Sequence, residues 1–208
     1  MPAADTALSF FGLALLLSFA PGPDNIFVML QSATHGRRAG LWVVLGLCTG
    51  LVGHTVAVAL GLAAVFAASV TAFNLLKMAG AAYLTWLAWQ ALRAPATPLS
   101  TTDAPLPGAR GMYLRGVIMN LTNPKVAIFF LALLPQFVQA ERGGVTVQIL
   151  WLGALFIGAT LLAFGLITWF AASLGALLRR SANAQRWMNR LTGIAFLGLA
   201  ARLATAQR

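Results

Sequence analysis

The sequence predicts an all-α integral membrane protein. Six transmembrane helices form two inverted-topology three-helix repeats, with helices 1 and 4 discontinuous. Three observations carry this. The 208-residue chain is 60% hydrophobic and 9% charged, with a mean hydropathy of +0.83, whereas a soluble domain carries about 25% charged residues. The apolar residues fall into six runs, each long enough for the roughly 20 residues that a bilayer requires. Two of those runs are interrupted by proline at corresponding places in the two halves of the chain, the pattern of an internal repeat whose broken helices build a binding site.

Segment 1 spans about 5–35 and is broken at 21–25. Within Ser18–Asn25, Pro21, Gly22 and Pro23 cannot continue a helix: each proline lacks an N–H and clashes with the turn before it. Unpaired backbone is costly in lipid, so the break must face a protein interior or a wet cavity. The N-terminus has no basic region ahead of its apolar run, so segment 1 is expected to be retained rather than cleaved.

Segment 2 spans about 40–67, and its Gly46 and Gly50 form a GxxxG pair suited to close helix packing. Segment 3 spans about 71–92. The polar, proline-rich stretch 94–111 is a linker that divides the chain into repeats at 1–93 and 112–208. Segment 4 spans about 113–138, is broken at 123–125 by Pro124, and holds Pro135 near its far end. Glu141–Gly144 is a tight turn. Segment 5 spans about 145–177, and segment 6 about 188–204. Trp42, Trp86, Trp89, Trp151 and Trp187 lie near predicted ends, as an interfacial aromatic belt requires.

Orientation follows from counting cations. Arg37, Arg38, Arg93, Arg110, Arg115, Arg179, Arg180, Arg186 and Arg190 follow segments 1, 3 and 5. Lys77, Arg142, Arg202 and Arg208 fall on the other side. The first group is therefore expected in the cytoplasm and both termini outside. With three crossings each, the halves insert in opposite senses.

The formal charge of +10 belongs to these loop anchors. No polar basic face exists for nucleic acid, and the partner it implies is the bilayer. The single cysteine, Cys48, excludes an internal disulfide or a redox pair and reads as a packing residue. No cluster has metal-ligand spacing, no nucleotide motif is present and no serine–base pair is visible. The chain is therefore expected to be no enzyme and to need no cofactor.

The chemistry lies at the two breaks. Asp24 follows the first break and Lys125 the second, alongside Asn25, Asn120, Thr122 and Asn123. A lone charge at a helix centre costs about 2.5–3.5 kcal/mol. Asp24 and Lys125 can offset each other if the breaks meet, as a structural ion pair or as a receptor for a substrate ammonium and carboxylate. The asparagines and Thr122 can bind that substrate or cap the broken ends. Half-helix N-termini also favour anions, so the set suits a zwitterion. His54, in mid-segment 2, is either a proton relay or a donor satisfied by a carbonyl.

At these residues the sequence resembles the lysine exporter family, in particular its homoserine/threonine resistance branch. The matching stretches are PGPDN at 21–25, GRRAG at 36–40, GAAYLTWLAWQALR at 80–93 and NLTNPKVAIFFLALLPQFV at 120–138. The resemblance implies a six-helix amino-acid exporter of the bacterial inner membrane, an antiporter driven by the proton motive force, with Asp24 and Lys125 at the family's motif positions. The partners are then an amino acid or close derivative, protons and lipid, with homo-oligomerisation left open. One proton suffices: 100 mV supplies about 2.3 kcal/mol per charge, against about 1.4 kcal/mol for a tenfold gradient of a neutral solute. Within the membrane, Asp24 and His54 are the candidates for carrying it. The alternative is a metal-cation or other small-solute exporter, against which stands the single carboxylate inside the membrane.

Overall fold

A computed structural model of the chain describes residues 2–20, 22–68, 70–93, 108–180 and 182–205, with some helical stretches, among them 62–74 and 172–180, described chiefly by their backbone. Pro21, Arg208 and residues 94–107 of the expected linker lie outside the described residues. Among the described residues the structure is all helical. In chain order it contains α1 (Ala4–Phe19), α2 (Pro23–His35), α3 (Arg37–Ala68), α4 (Val70–Arg93), α5 (Ala109–Leu121) and α6 (Pro124–Ile128). A π turn (Phe129–Leu133), a 3₁₀ turn (Leu134–Phe137) and a second 3₁₀ turn (Ala140–Arg142) lead to α7 (Val145–Arg180) and α8 (Ala182–Thr205). By length and composition, α3 over Arg37–Gly61 and α7 over Val145–Ala171 are able to cross a membrane, and up to four spans result if each broken pair is one.

Both expected breaks exist. The α1–α2 pair bends by 64° and the pair of α5 with Pro124–Phe137 by 49°. Each break is displaced from its predicted position. Asp24 and Asn25 stand in the first turn of α2 rather than in unwound chain. The second break falls at Thr122 and Asn123, not at 123–125, and Lys125 is already helical. The physical reason is the same at both. Proline breaks a helix only from its interior; at the first helical position its missing N–H is one of those left unpaired anyway, and its φ is preset. Pro23 and Pro124 therefore begin helices. Gly22 precedes the first in extended backbone (φ −169°, ψ 177°). Pro135 has a larger effect than expected: around it the chain passes from α through π to 3₁₀. α5 starts at Ala109, so 109–111 of the expected linker are helical.

Helix contacts relate the two halves. α3 packs along α5, α7 packs along α1 and α2, α3 crosses α7, and α4 pairs with α8. The α3–α5 crossing rests on glycine. A Cβ at Gly46 would meet the Tyr113 carbonyl oxygen, and one at Gly116 would fall 3.1 Å from the Gly46 Cα. Two apolar clusters result. One gathers Phe10, Leu17, Val126, Phe129, Phe130, Phe137 and Phe156; the other gathers Val28, Val43, Leu47, Met112, Phe164 and Ile167. Between them lies a polar layer. The belt tryptophans are partly exposed, and Arg93 and Arg190 stack on Trp89 and Trp187 at 4.7 and 5.8 Å.

Candidate functional site

The polar layer is built where the two breaks meet. Asp24, Asn25, Asn120, Asn123 and Lys125 are each more than nine-tenths buried. Their hydrogen bonds run across the breaks. The Lys125 ammonium donates to the carbonyl oxygens of Leu17 and Ala20, both at 3.2 Å, so a cation from the second half stops the C-terminal end of α1, where the helix dipole favours it. Asn25 Nδ2 donates to the Ser18 carbonyl at 2.7 Å. Asn123 serves both halves. Its Oδ1 accepts from the Lys125 backbone N–H at 3.0 Å and caps α6, while its Nδ2 donates to Asp24 Oδ2 at 2.7 Å. Asp24 itself stands in the first turn of α2, where an acid is favoured.

The structure thus brings Asp24 and Lys125 to one site but gives them different partners: an amide for the acid and two carbonyls for the base. Both line one cavity with Ser18, Asn120, Thr160 and Phe156. Its free volume is about 20 Å³, where one water needs about 10–15 Å³. In this layer, among the described residues, three buried carboxylate or amide oxygens have no donor: Asp24 Oδ1, Asn25 Oδ1 and Asn120 Oδ1. Each such atom costs about 1–3 kcal/mol unless something supplies a proton to it.

His54 stands at the edge. Its Nε2 donates to the Asn120 carbonyl at 3.2 Å, and its ring stacks on Phe130 at 5.6 Å between centroids. That carbonyl lies in the last turn of α5 and also accepts from the Asn123 backbone N–H at 3.1 Å. Thr122 is exposed and bonds back to the Ile118 carbonyl at 2.8 Å, away from the cavity. The helix-break residues have their own roles. A Cβ on Gly22 would stand 3.3 Å from the Lys125 ammonium, and one on Gly50 would fall 2.6 Å from Asn120 Oδ1. The second glycine of the GxxxG pair therefore makes room for a site residue.

Sequence reasoning did not single out Ser18 or Thr160, whose hydroxyls lie 3.4 Å apart. Segment 5 carries no break, so only the isolated hydroxyls of Thr160 and Thr168 in an apolar run signalled an inward face.

This geometry is carried by a recognisable sequence. Residues 10–207 match the family described as LysE type translocator. The chain belongs to the LysE type translocator family. Among relatives of this translocator, an uncharacterised membrane protein of Vibrio cholerae is 36% identical over 205 residues, covering 96% of this chain and 97% of the relative. A homoserine/homoserine lactone efflux protein of Salmonella typhimurium is 35% identical over 192 residues, 92% of each chain. A leucine efflux protein of Klebsiella pneumoniae is 29% identical over 207 residues, 96% of this chain and 95% of the relative. No solved structure matches the chain. A translocator of this family is a helical membrane protein, and the Salmonella and Klebsiella relatives are named for efflux.

Proposed function

We propose that the chain exports an amino acid, or a close derivative, across the bacterial inner membrane, and that the substrate sits between the two helix breaks. The observation that carries this is a buried acid and a buried base, one from each half, on a single cavity that also presents unpaired oxygens. A substrate ammonium fits Asp24 Oδ1 and the asparagine oxygens. A substrate carboxylate fits the Lys125 ammonium in place of the α1 carbonyls. At about 20 Å³ the site has no room for an amino acid, so loading requires the halves to part, with the breaks as hinges. The names of the efflux relatives support the substrate class.

In this reading the protein has six spans in two inverted three-helix repeats with both termini outside. Reciprocal packing supports it: α3 lies on α5 as α7 lies on α1 and α2. The proton motive force drives export. Asp24 couples the two fluxes because one carboxylate holds either a proton or the substrate ammonium. His54 already donates to the Asn120 carbonyl and serves as a structural donor.

Amino-acid counterflow in proteoliposomes tests the reading. Asp24→Asn and Lys125→Met each leave the other charge buried without its counterpart, which costs about 3–5 kcal/mol, and each should abolish exchange. The double exchange of Asp24→Lys with Lys125→Asp should assemble without transporting. Near-normal counterflow by the exchanged protein would show that the two charges are only a structural pair.

A further inference from the structure

The two sides of the polar layer are packed differently. Toward the N-terminal end of α1, five rings pack together: Phe10, Phe129, Phe130, Phe137 and Phe156, with centroids 5.0–6.4 Å apart. His54 stacks on Phe130 at the border of this cluster, 5.6 Å between centroids. Toward the arginine-rich end the buried side chains differ. Along α7, Thr160 and Phe164 line the cavity, and one turn further lies Thr168, 2% exposed, with a hydroxyl that has no partner. Near it on α2 is Ser32, with Gln31 next in the chain, both more than nine-tenths buried. A Cβ at Gly40 would touch the Ser32 hydroxyl and lie 3.1 Å from Thr168 Cγ2, so α2, α7 and the start of α3 converge here. Gln31 Oε1 accepts from His35 Nδ1 at 2.8 Å, and the Ser32 hydroxyl donates to the Val28 carbonyl at 2.6 Å. Arg37 closes this end, stacked 3.9 Å over Trp169.

Buried polar side chains in a membrane interior either bond helix to helix or line a solute path, and the Thr168 hydroxyl bonds to no neighbouring helix. We propose that the substrate reaches the cavity from the arginine-rich end along the seam between α2 and α7, pausing at a polar station of Gln31, Ser32 and Thr168, and that Phe164 is the gate between station and cavity. The station offers an amide and two hydroxyls, which suit a zwitterion passing between water and the charged site. Arg37 and Arg38 stand exposed at its mouth and attract the carboxylate. The substrate class here rests on the export reading above; the path itself does not.

The test uses the full-length protein with Cys48→Ala, reconstituted and turning over. Thr168→Cys is probed with a small cationic methanethiosulfonate applied to the arginine-rich face, with Ala132→Cys in the aromatic cluster as the dry control. Thiols react as thiolates, so a dry position even one pKa unit less favourable reacts about tenfold more slowly. Thr168→Cys should label at least that much faster than Ala132→Cys, and adding Phe164→Ala should speed labelling of Ser18→Cys in the cavity. If Thr168→Cys assembles poorly, Ser32→Cys on the facing helix is read the same way. Robust counterflow with the station unlabelled from that face overturns the path. Labelling and gating without amino-acid counterflow keeps the path and overturns the export reading instead.

Discussion

Asn123 carries as much of the site as either charged residue. It caps α6 with one end of its amide and holds Asp24 with the other. Asn123→Ala should lose about 1 kcal/mol of cap and about 1–3 kcal/mol more from the stranded carboxylate. Thermal unfolding in detergent should fall accordingly, and exchange should stop. Thr122→Ala, one residue earlier and exposed, should stay within about 0.5 kcal/mol of wild type. Equal melting temperatures for the two variants would remove Asn123 from its bridging role. His54 separates by a different measurement. A glutamine at this position can still donate to the Asn120 carbonyl, so His54→Gln should transport with an unchanged pH profile. A flattened profile with substrate binding intact would make His54 the relay.

At the scale of elements, the glycines on α3 and α5 set how closely the halves approach. Gly46 and Gly116 meet backbone on both sides, and backbone cannot turn aside as a side chain can. Gly46→Ala should therefore cost about 1–3 kcal/mol. On α8, Gly198 has open space around it, and Gly198→Ala should stabilise by up to about 1 kcal/mol. A melting series in one detergent checks both signs. The same contrast explains what was legible beforehand. Proline and glycine act locally, so both breaks and a close-packing face on α3 could be read from the letters, while its partner α5 could not. The partners of Lys125 could not, because its ammonium reaches carbonyls 105 and 108 residues away in the chain. Asp24 and Lys125 were expected at one site, and they share its cavity. Their separate partners appear only once both helix ends are placed. Thr160 was hidden in an uninterrupted apolar run, and the π turn before Pro135 has no residue signature of its own.

For the whole molecule, the central feature is a polar layer between two apolar clusters, with both breaks opening into it. The orientation proposed above rests on the arginine distribution, and two exposed glycines, Gly144 and Gly108, can test it. In a Cys48→Ala background, an impermeant thiol reagent on intact cells should label Gly144→Cys and spare Gly108→Cys. Labelling of Gly108→Cys from outside would invert the protein and undo the opposed-repeat arrangement with it.

A membrane that sustains a proton gradient tolerates no idle conduit, and the interlocked helix caps bear on this. The protein's own groups hold these positions: the Lys125 ammonium occupies the α1 carbonyls, and the Asn123 amide occupies Asp24. On the export reading, this interlock is expected to limit proton leak through the empty carrier. A molecule with a cation alone, or an anion alone, relieves one fastening and leaves the other in place. On that reading a solute bearing both charges is needed to release the two together, and singly charged metabolites are expected to be rejected by failure to unlock rather than by poor fit.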